Sequence, residues 1–600
     1  LQHSVGQISV GGAADLCLFD PNASWAVEPA ALASQGKHTP FSGHEMPVRV
    51  RATLMPPSAP ALPGDYDFGR QAWFNAIGAV GYALSPPAHD MGARHAPADL
   101  RLWAAIECVR QGIGARVAAA LPGETGGIAT ALITGERGGI SEATNDAFRD
   151  SGILHILSIS GFHMAIMAGS VFFIVRLALA AFPSIALRYP IKKWAAAAAM
   201  LAAFAYLLIS GAAFATVRST IMIAIMFLAV MLDRPALALR NVVLAASLIL
   251  VVFPESLLDV GFQMSFAAVL ALVSAYEALR GREAWTSLME SGPARLIVFF
   301  AGIVLSTLIA SAAVAPFAAY HFHKSQQYAV IANLIALPVC NLLVMPAALV
   351  ALIAMPFGLE VYPLWLMGWG IEAMVWTAHR VAALPGAVLH VPAMPALAFL
   401  LMVTGGLWLM LWQTRWRLLG VALIAGGVAL APALRTPDVL IGRDGAIVAV
   451  RGEDGELSAV GATRASFELE RWLEHDGARR SAEQASKSTA FACDGIGCRT
   501  EVKGMTLAVA RHPAAFAEDC RRAAIVVSDI VSPRGCTAPQ AVIDFFTARR
   551  QGTHAVYIGA GGTIRIETVA GTRGRRPWST PPVDVRPNTD AGAARTAGLQ

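Results

Sequence analysis

The stretch Gly152–Met167, GILHILSISGFHMAIM, opens a long apolar region with two histidines, two serines and an internal glycine. Polar side chains at membrane depth cost free energy unless they face water or the interior of a helix bundle. On an ideal helix these side chains span roughly 200°, so one face cannot hold them all. Ser160 and Gly161 therefore predict a local helix break, with a cavity lined by His155, Ser158, Ser160 and His163. The alternative is that each serine bonds a carbonyl one turn back and each histidine is satisfied by a neighbouring helix.

Composition places this stretch in a membrane protein. Of the 600 residues, 56% are hydrophobic and only 14% are charged, whereas soluble domains run at about 25% charged. Apolar segments of spanning length recur between residues 153 and 434, as a hydrocarbon core about 30 Å thick requires. We predict a polytopic α-helical membrane protein with about ten transmembrane helices, near 153–181, 195–210, 213–232, 240–253, 262–279, 296–320, 328–355, 362–383, 392–413 and 417–434.

The loop charges orient these helices. Basic residues gather in alternate loops, at Arg188, Lys192 and Lys193, at Arg234 and Arg240, at Arg280, Arg282 and Arg295, and at Arg415 and Arg417. Cytoplasmic loops carry an excess of lysine and arginine. Both flanks, 1–150 and 435–600, are therefore predicted on the outer face of the membrane.

The flanks have the mixed composition of water-soluble structure. Residues 435–571 alternate strand and helix patterns, which predicts a small α/β domain, and residues 572–600 are predicted to be a disordered tail. Residues 55–150 are interpreted as a linker and the remnant of a soluble N-terminal region, before a transmembrane domain at 151–434. Cys493 and Cys498 are a disulfide candidate if their domain faces an oxidising compartment. The alternative is two small core residues.

Two further polar segments lie at the starts of predicted helices. In LISGAAFATVRSTIM (208–222), Gly211 predicts a helix break. Arg218 either snorkels to the outer interface or faces the cavity, where its guanidinium fork can meet phosphate. In PESLLDVGFQMSFAAV (254–269), a break is predicted at Gly261, and the lining candidates are Gln263 and Ser265.

A fourth polar segment, residues 315–346, combines a loop with a proline-rich helix. Its lining candidates are His321 and Asn333. Pro338 and Pro346 interrupt the apolar run, and prolines at this density predict a kinked or re-entrant segment rather than a straight span.

Taken together and in this order, the four segments resemble the ComEC family of competence proteins. The first matches a His-Leu-Leu-x-Ile-Ser-Gly-x-His motif at His155, Leu157, Ile159, Ser160, Gly161 and His163. The others match a Ser-Gly…Arg segment at Ser210, Gly211 and Arg218, a Gly-Phe-x-x-Ser-Phe segment at Gly261, Phe262, Ser265 and Phe266, and an Asn-Leu-x-x-x-Pro segment at Asn333, Leu334 and Pro338. The motifs lie within about 125–355, and the resemblance extends over about 55–600.

This resemblance implies a multi-pass protein of the bacterial cytoplasmic (inner) membrane that serves as a channel for uptake of single-stranded DNA in natural transformation. A single strand needs a water-filled path, groups that tolerate phosphate and surfaces for base stacking. The implied partners are single-stranded DNA, membrane lipid and other proteins of the competence machinery, with a homo-oligomer left open and no cofactor. The alternatives are a small-solute membrane transporter and a non-functional chimeric chain.

The C-terminal flank departs from the family. Many members end in a metallo-β-lactamase-like domain with a His-x-His-x-Asp-His run of metal ligands, which this sequence lacks. The C-terminal histidines are isolated from one another, at His475, His512 and His554. We therefore expect no metal site and no enzyme activity. The α/β pattern is compatible with a ligand-free version of that domain.

Residues 1–54 resemble a different family, the C-terminal tail of dihydroorotases. A Gly-Ala-Asp-Leu-x-x-Phe-Asp-Pro hairpin is matched at Ala14, Asp15, Leu16, Phe19, Asp20 and Pro21, and a Lys-x-Thr-Pro-Phe-x-Gly loop at Lys37, Thr39, Pro40, Phe41 and Gly43. The metal ligands and catalytic acid of that family lie on barrel strands that would precede Leu1, so no hydrolase activity is expected. Because no signal peptide precedes the N-terminal flank, we expect a truncated gene fused to a hydrolase fragment.

Overall fold

The structure, a computed structural model, describes residues 58–83, 98–279, 294–461, 466–487 and 489–579, together with four short strands before residue 56. The chain divides into two compact units. The helical unit is Ala93–Leu434, and the sheet unit joins Leu1–Gly92 to Arg435–Gln600. Several predictions fall outside the described residues: the hairpin residues Ala14, Asp15 and Pro21, the loop 37–43, the arginines at 280 and 282, and the tail from residue 580 onward.

Helices before residue 160 are short or partly polar: α1 (Phe68–Phe74) in the sheet unit, then α2 (Ala98–Ala120), α3 (Gly123–Thr134), α4 (Glu142–Asp150) and α5 (Leu154–Leu157). The apolar series follows: α6 (Gly161–Ala180), the short α7 (Pro183–Ala186), α8 (Ile191–Ile209), α9 (Phe214–Met231), α10 (Leu239–Val252), α11 (Val260–Leu279), α12 (Ala294–Phe322), α13 (Ala329–Val339), α14 (Met345–Ala354), α15 (Val361–Ala382), α16 (Ala396–Leu411) and α17 (Leu418–Leu430). Residues 98–150, predicted as part of a linker and remnant, belong to the helical unit.

Seven helices of the described residues are long and apolar enough to cross a membrane: Gly161–Ala180, Ile191–Ile209, Phe214–Met231, Val260–Leu279, Ile297–Phe322, Ala329–Phe357 and Arg415–Ala433. The predicted membrane-protein fold is confirmed, but the count of about ten spans is not. The other predicted segments are also helical. However, α10 and α16 have only 14 and 16 residues, and α15 carries Glu372 and Arg380.

The segment with two prolines is helical throughout and contains a bulge. The helical path continues from Ala329 to Ala354, because a π-helical turn at Cys340–Val344 joins α13 to α14. A proline removes a backbone donor and crowds the preceding turn, and a π turn absorbs such a mismatch inside a helix. The segment is therefore one continuous helical path with a bulge at Cys340–Val344.

Close helix contacts in the helical unit depend on glycine. A Cβ atom built on Gly405 would lie 2.6 Å from the carbonyl oxygen of Gly420, and one on Gly427 would lie 2.7 Å from that of Ala398. Membrane helices approach this closely where small residues face each other. The glycines therefore set the spacing of α16 against α17.

Arg110 on α2 ties two helix ends together. Its Nε donates to the carbonyl oxygen of Ile209 at 3.0 Å, and its Nη2 donates to that of Thr134 at 3.0 Å. The last carbonyls of a helix have no partner within the helix, and a basic side chain near them is stabilising. Arg110 therefore fixes the C-terminal ends of α3 and α8, just before Gly211.

The sheet unit is built on two five-stranded sheets. Ahead of them lie β1 (Leu16–Asp20), β2 (Trp25–Ala26), β3 (Glu45–Met46), β4 (Arg49–Met55) and β5 (Val80–Ala83), while β6 (Lys324–Gln326) pairs with β7 (Val388–His390) in the helical unit. The first sheet is antiparallel, ordered β10-β9-β8-β16-β17, from β8 (Val439–Ile441), β9 (Val448–Arg451), β10 (Leu457–Val460), β16 (His554–Ile558) and β17 (Ile564–Thr568). The second is mixed, ordered β11-β12-β13-β14-β15, from β11 (Ala492–Cys493), β12 (Gly497–Val502), β13 (Met505–Ala510), β14 (Ile525–Ser528) and β15 (Ala541–Ile543).

Period-two alternation decides the layers of this unit. In β9, Val448 and Val450 join the core between the sheets, while Ala449 joins the outer core. Leu507 of β13 follows the same inward pattern. The outer faces are covered by α18 (Ser466–His475), which buries Trp472, with α19 (Ala482–Ser486), and by α20 (Phe516–Arg522). The predicted small α/β domain is confirmed and has four layers, completed at its edge by α21 (Phe545–Gln551) and α22 (Val569–Arg573).

Residues from before the helical unit complete this domain. Leu62 is buried in the outer core with Trp472, whose Nε1 donates to the carbonyl oxygen of Ala61 at 2.9 Å. Asp67 caps α1 and accepts from Arg573, Nε to Oδ2 at 2.7 Å and Nη2 to Oδ1 at 3.0 Å. The sheet unit is thus assembled from both ends of the sequence.

Candidate functional site

The stretch around Ser160 folds as a short helix, an extended link and a long helix. After α5, Ser158 is extended (φ −103°, ψ 133°), and Ser160 is the N-cap residue of α6 (φ −114°, ψ 176°). The helix is broken where the sequence predicts it, with Gly161 as the first residue of α6. Of the predicted lining residues, His155 is exposed, whereas Ser158 and Ser160 are half-buried.

The His163 side chain hydrogen-bonds back to Ser160, the residue at the break. Its Nδ1 accepts from the backbone N–H of Ser160 at 3.3 Å and lies 3.1 Å from Ser160 Oγ. Its Nε2 lies 3.7 Å from Cys340 Sγ, in the π turn. The imidazole is fully buried. His163 therefore fixes the start of α6 and joins it to the α13–α14 span, and presents no surface of its own to solvent.

Arg218 lies one turn into α9 and is also buried, with 6% of its surface exposed. Its guanidinium stacks over the Phe214 ring at 5.6 Å and its Nη1 lies 3.5 Å from Asp259 Oδ1. Its Nε is buried without a hydrogen-bond partner among the described residues. Arg218 therefore does not snorkel outward; it lies among the helices with part of its donor capacity unused.

The segment at α11 meets both neighbours. A Cβ atom built on Gly261 would lie 3.6 and 3.7 Å from the Arg218 guanidinium nitrogens. Gln263 Oε1 lies 3.2 Å from His321 Nε2, at the end of α12. The chain leaves the preceding turn at Asp259, which caps α11, and α11 begins at Val260, one residue before the predicted break at Gly261. Ser265 is half-buried one turn further on.

The remaining predicted residues are placed as follows. Asn333 is buried on α13, and its Oδ1 has no hydrogen-bond partner in the part of the chain that the structure describes. Gly211 has φ +79° in the turn between α8 and α9, a conformation that favours glycine. Pro338 lies inside α13, and Pro346 lies in the first turn of α14.

These contacts join the predicted segments into one row. A Cβ atom on Gly161 would lie 3.3 Å from Ser219 Oγ, so the start of α6 adjoins the residue next to Arg218. Arg218 adjoins the start of α11, and Gln263 adjoins the end of α12. The starts of α6, α9 and α11 therefore meet, and helix N-termini carry partial positive charge. Such a row suits an anionic chain.

Aromatic rings extend the row beyond His321. Tyr320 stacks on Phe399 with ring centroids 4.3 Å apart and an interplanar angle of 12°. His321 meets the same Phe399 ring edge-on at 5.7 Å. Phe262 and Phe266, matched in the motif of α11, lie 4.5 Å apart. Planar rings beside polar groups are the surfaces on which bases of a single strand stack.

Two residues of the site are absent from the sequence predictions. Asp259 stands in the loop before α11, where a lone carboxylate resembles an ordinary loop charge. Cys340 resembles a small apolar core residue. The sequence feature that could have revealed Asp259 is its position just before the helix that was predicted to start near Gly261, because a carboxylate is common at the N-cap. No such feature marks Cys340.

The sheet unit carries two disulfides. One joins Cys493 to Cys498 at the β11–β12 hairpin, the pair picked from the sequence. The other joins Cys520 to Cys536 and was not predicted. Asp494 lies in the same hairpin and accepts from the backbone N–H groups of Ile496 and Gly497. These hydrogen bonds hold the pKa of its carboxyl below the usual value. In the helical unit, Cys108 and Cys340 are free thiols.

The three histidines of residues 435–579 have separate surroundings. His512 Nδ1 accepts from the backbone N–H of Ala514, and His554 Nε2 lies 3.1 Å from Gln551 Oε1. Burial lowers the pKa of His475 and of His554. Within the described ranges, no three His, Cys, Asp or Glu side chains are grouped as metal ligands would be.

Comparison with known proteins identifies the region that contains the row. Residues 132–416 match the family described as Competence protein. ComE operon protein 3 of Bacillus subtilis (strain 168) is 25% identical over 317 residues, which is 51% of this chain and 37% of that protein. The chain thus spans little more than a third of this curated relative. No solved structure matches.

A second likeness is confined to a short piece. Dihydroorotase-like proteins of Pseudomonas putida and Pseudomonas aeruginosa are 49% and 46% identical over 55 residues. In each case the match covers 9% of this chain and 13% of the relative. The likeness to this second family is therefore partial, whereas the likeness to competence proteins covers the helices that carry the site.

Proposed function

We propose that the chain, whose residues 132–416 match the family described as Competence protein, is a channel that admits single-stranded DNA across the cytoplasmic membrane. The observation that carries the proposal is the row of polar side chains at the starts of α6, α9 and α11. A strand of phosphates requires positive charge along its path, and the row supplies Arg218 and converging helix N-termini. Gln263, Ser265 and His321 supply further hydrogen-bonding groups along it, and Asn333 on α13 is proposed to join them.

The proposed division of labour follows the burial of each side chain. His163 is a positioning residue, because it is wholly buried and holds the helix start. Arg218 contacts phosphate. Tyr320 and Phe399 offer a ring surface where bases can stack. His155, Ser158 and Ser160 lie at the mouth of the passage.

Both flanks are proposed to lie on the outer face. Residues 58–79 and 435–579 pack into one domain through Leu62, Asp67 and Arg573, which supports the proposal that the two flanks share one side, with an even number of crossings between them. The two disulfides of this domain suit an oxidising compartment. The loop charges favour the same orientation. The α/β domain is proposed to have no enzyme activity, and its partners are the single strand and the competence machinery.

The test is entry of labelled DNA into vesicles that hold the purified full chain under an imposed membrane potential. A labelled single strand should become protected from external nuclease, while its duplex should remain accessible. Arg234→Gln, at the other end of α9, is the control that should leave entry unchanged. Vesicles that admit labelled phosphate but no oligonucleotide would instead identify a small-solute transporter.

A further inference from the structure

The ion pair between Arg218 and Asp259 is incomplete on the arginine side. A guanidinium has five N–H donors, and charge-assisted hydrogen bonds to carboxylates measure about 2.7–2.9 Å. Here Nη1 lies 3.5 Å from Asp259 Oδ1, and Nε has no partner among the described residues. A buried charge with so little compensation is unfavourable unless another anion completes it.

Asp259 is held by the helix rather than by the arginine. Its Oδ1, the oxygen nearest Arg218, also accepts from the backbone N–H of Phe262 at 2.7 Å. Its side chain is 31% exposed, whereas that of Arg218 is 7% exposed. The carboxylate therefore stands between the buried guanidinium and the more open side of the site, bound firmly to α11 and loosely to Arg218.

Gly261 leaves room beside the guanidinium. It is exposed, and a Cβ atom there would lie 3.6 and 3.7 Å from two guanidinium nitrogens and 3.1 Å from Asp259 Oδ1. Any larger residue would fill this space. Since α11 begins at Val260, the partial positive charge of its N-terminus falls on the same space.

We propose that Arg218 and the Gly261 end of α11 form a binding site for one phosphodiester of the passing strand, and that Asp259 is the internal anion that the phosphate displaces. This proposal rests on the proposed channel. The incoming phosphate accepts hydrogen bonds from the Arg218 guanidinium, which Asp259 contacts only at 3.5 Å, and Asp259 keeps its hydrogen bond from the backbone N–H of Phe262. When the phosphate leaves, Asp259 returns to the guanidinium.

An arginine that is shared with a neighbouring carboxylate suits transport better than an unpaired arginine, because the carboxylate competes with phosphate for the guanidinium. Conduction requires binding strong enough to admit the ligand and weak enough to release it. A carboxylate of like charge next to the site shortens the stay of each phosphate. Asp259 therefore sets how long the strand stays at Arg218 and not whether it is admitted.

The test is binding of a fluorescent single-stranded oligonucleotide to the full chain in nanodiscs of zwitterionic lipid. Asp259→Asn should bind three- to ten-fold more tightly than the unaltered chain, because the competitor is gone. Arg218→Gln should bind at least ten-fold more weakly. Its salt dependence should fall by about 0.7 in the slope of log K against log salt, the value for one phosphate contact on a single strand.

Matched controls lie at the opposite end of α9. Asp233 pairs with Lys193 at 2.6 Å, so Asp233→Asn removes an acid from an ion pair outside the row and should change nothing. A methylphosphonate oligonucleotide of the same sequence has no backbone charge and should bind all variants alike. Inorganic phosphate should compete with the phosphodiester oligonucleotide, and adding anionic lipid should not.

The possible results distinguish failure of the phosphate-site proposal from failure of the channel proposal. If Asp259→Asn and Arg218→Gln bind the oligonucleotide as the unaltered chain does, the site is rejected, while vesicle uptake still stands for the channel. If no strand binds or enters, yet labelled phosphate binds with the same dependence on both residues, the site stands and the channel is rejected. Arg218→Lys keeps the charge without the fork and should bind at an intermediate level, which guards against a folding defect in Arg218→Gln.

Discussion

Arg573 in the sheet unit and Arg218 in the helical unit are both largely buried, but they are paired differently. Arg573 grips Asp67 with two nitrogens at 2.7 and 3.0 Å, and its Nη2 also donates to the carbonyl oxygen of Trp578. Asp67 is completed by Trp578 Nε1 at 3.1 Å. Arg218 has one carboxylate contact at 3.5 Å, a stacking contact with Phe214 and an Nε without a hydrogen-bond partner among the described residues. The guanidinium of Arg573 is well paired with groups of its own domain, whereas that of Arg218 has a buried donor without a partner among the described residues.

The difference separates a structural role from a functional one. A saturated buried pair holds distant pieces of chain together, and removing one partner leaves a charge that nothing compensates. An unsaturated buried arginine adds little to stability, so its presence is better explained by a ligand. Mutations should therefore act on stability in the sheet unit and on binding in the helical unit.

The largest stability effect is expected from Asp67→Ala. It leaves the Arg573 guanidinium buried without its carboxylate, and breaking one partner of a buried pair costs on the order of 3–5 kcal/mol. The measurement is hydrogen exchange of residues 435–579 in the full chain, where protection should fall throughout the domain. Lys487→Ala, which breaks an exposed pair with Glu483, should cost less than about 1 kcal/mol. Equal protection in the two variants would contradict the structural role of Arg573.

The second effect is expected from the disulfides, which the structure places only in the sheet unit among the described residues. Cys520→Ser opens a loop with a sequence separation of 16 and should cost about 3 kcal/mol. Cys493→Ser opens a loop with a separation of 5 and should cost about 2 kcal/mol. Cys108→Ser, at a free thiol, should cost nothing measurable. Urea unfolding with and without reductant measures all three; equal stability with and without reductant would mean that the disulfides do not stabilise the domain.

The sequence anticipates local features of this comparison better than distant ones. Ser160 and Gly161 predict a helix break because a polar pair inside an apolar run is a local signal. The contact of His163 with Cys340 joins residues 177 positions apart, and that of Asp67 with Arg573 joins residues 506 apart. Neither has a spacing that a pattern can reveal, and the same holds for Cys520 and Cys536.

The span count was harder to predict for a related reason. Hydropathy gives ten apolar segments, but α10 and α16 are too short to be counted by length. Helix α15 carries two exposed charged residues, Glu372 and Arg380. Arg218 was recognised as polar and intramembrane from its sequence. Whether its hydrogen-bond donors are all paired depends on Asp259, a loop residue 41 positions later in the sequence.

A smaller stability effect within the helical unit should come from helix packing rather than from charge. Gly427→Ala places a Cβ atom 2.7 Å from the Ala398 carbonyl oxygen and from Met402 Cγ. Overpacking of this kind costs about 1–3 kcal/mol. Gly426→Ala is the matched control, since nothing lies within 4 Å of its Cβ position. Thermal unfolding in nanodiscs should separate the two variants, and identical melting temperatures would mean that α16 and α17 are not held by this contact.

The smallest stability effect is expected where binding changes most, at Arg218→Gln. The substitution removes one long ion-pair contact and the stacking on Phe214, while Asp259 keeps its bond to Phe262 and part of its exposure to water. Because desolvation of a weakly paired buried charge roughly cancels its attraction, the change in unfolding free energy should stay below about 1 kcal/mol and can be stabilising. Thermal unfolding of the same nanodisc samples used for binding gives the measurement. A loss as large as that of Asp67→Ala would place Arg218 with the structural arginines and remove the distinction on which its functional role depends.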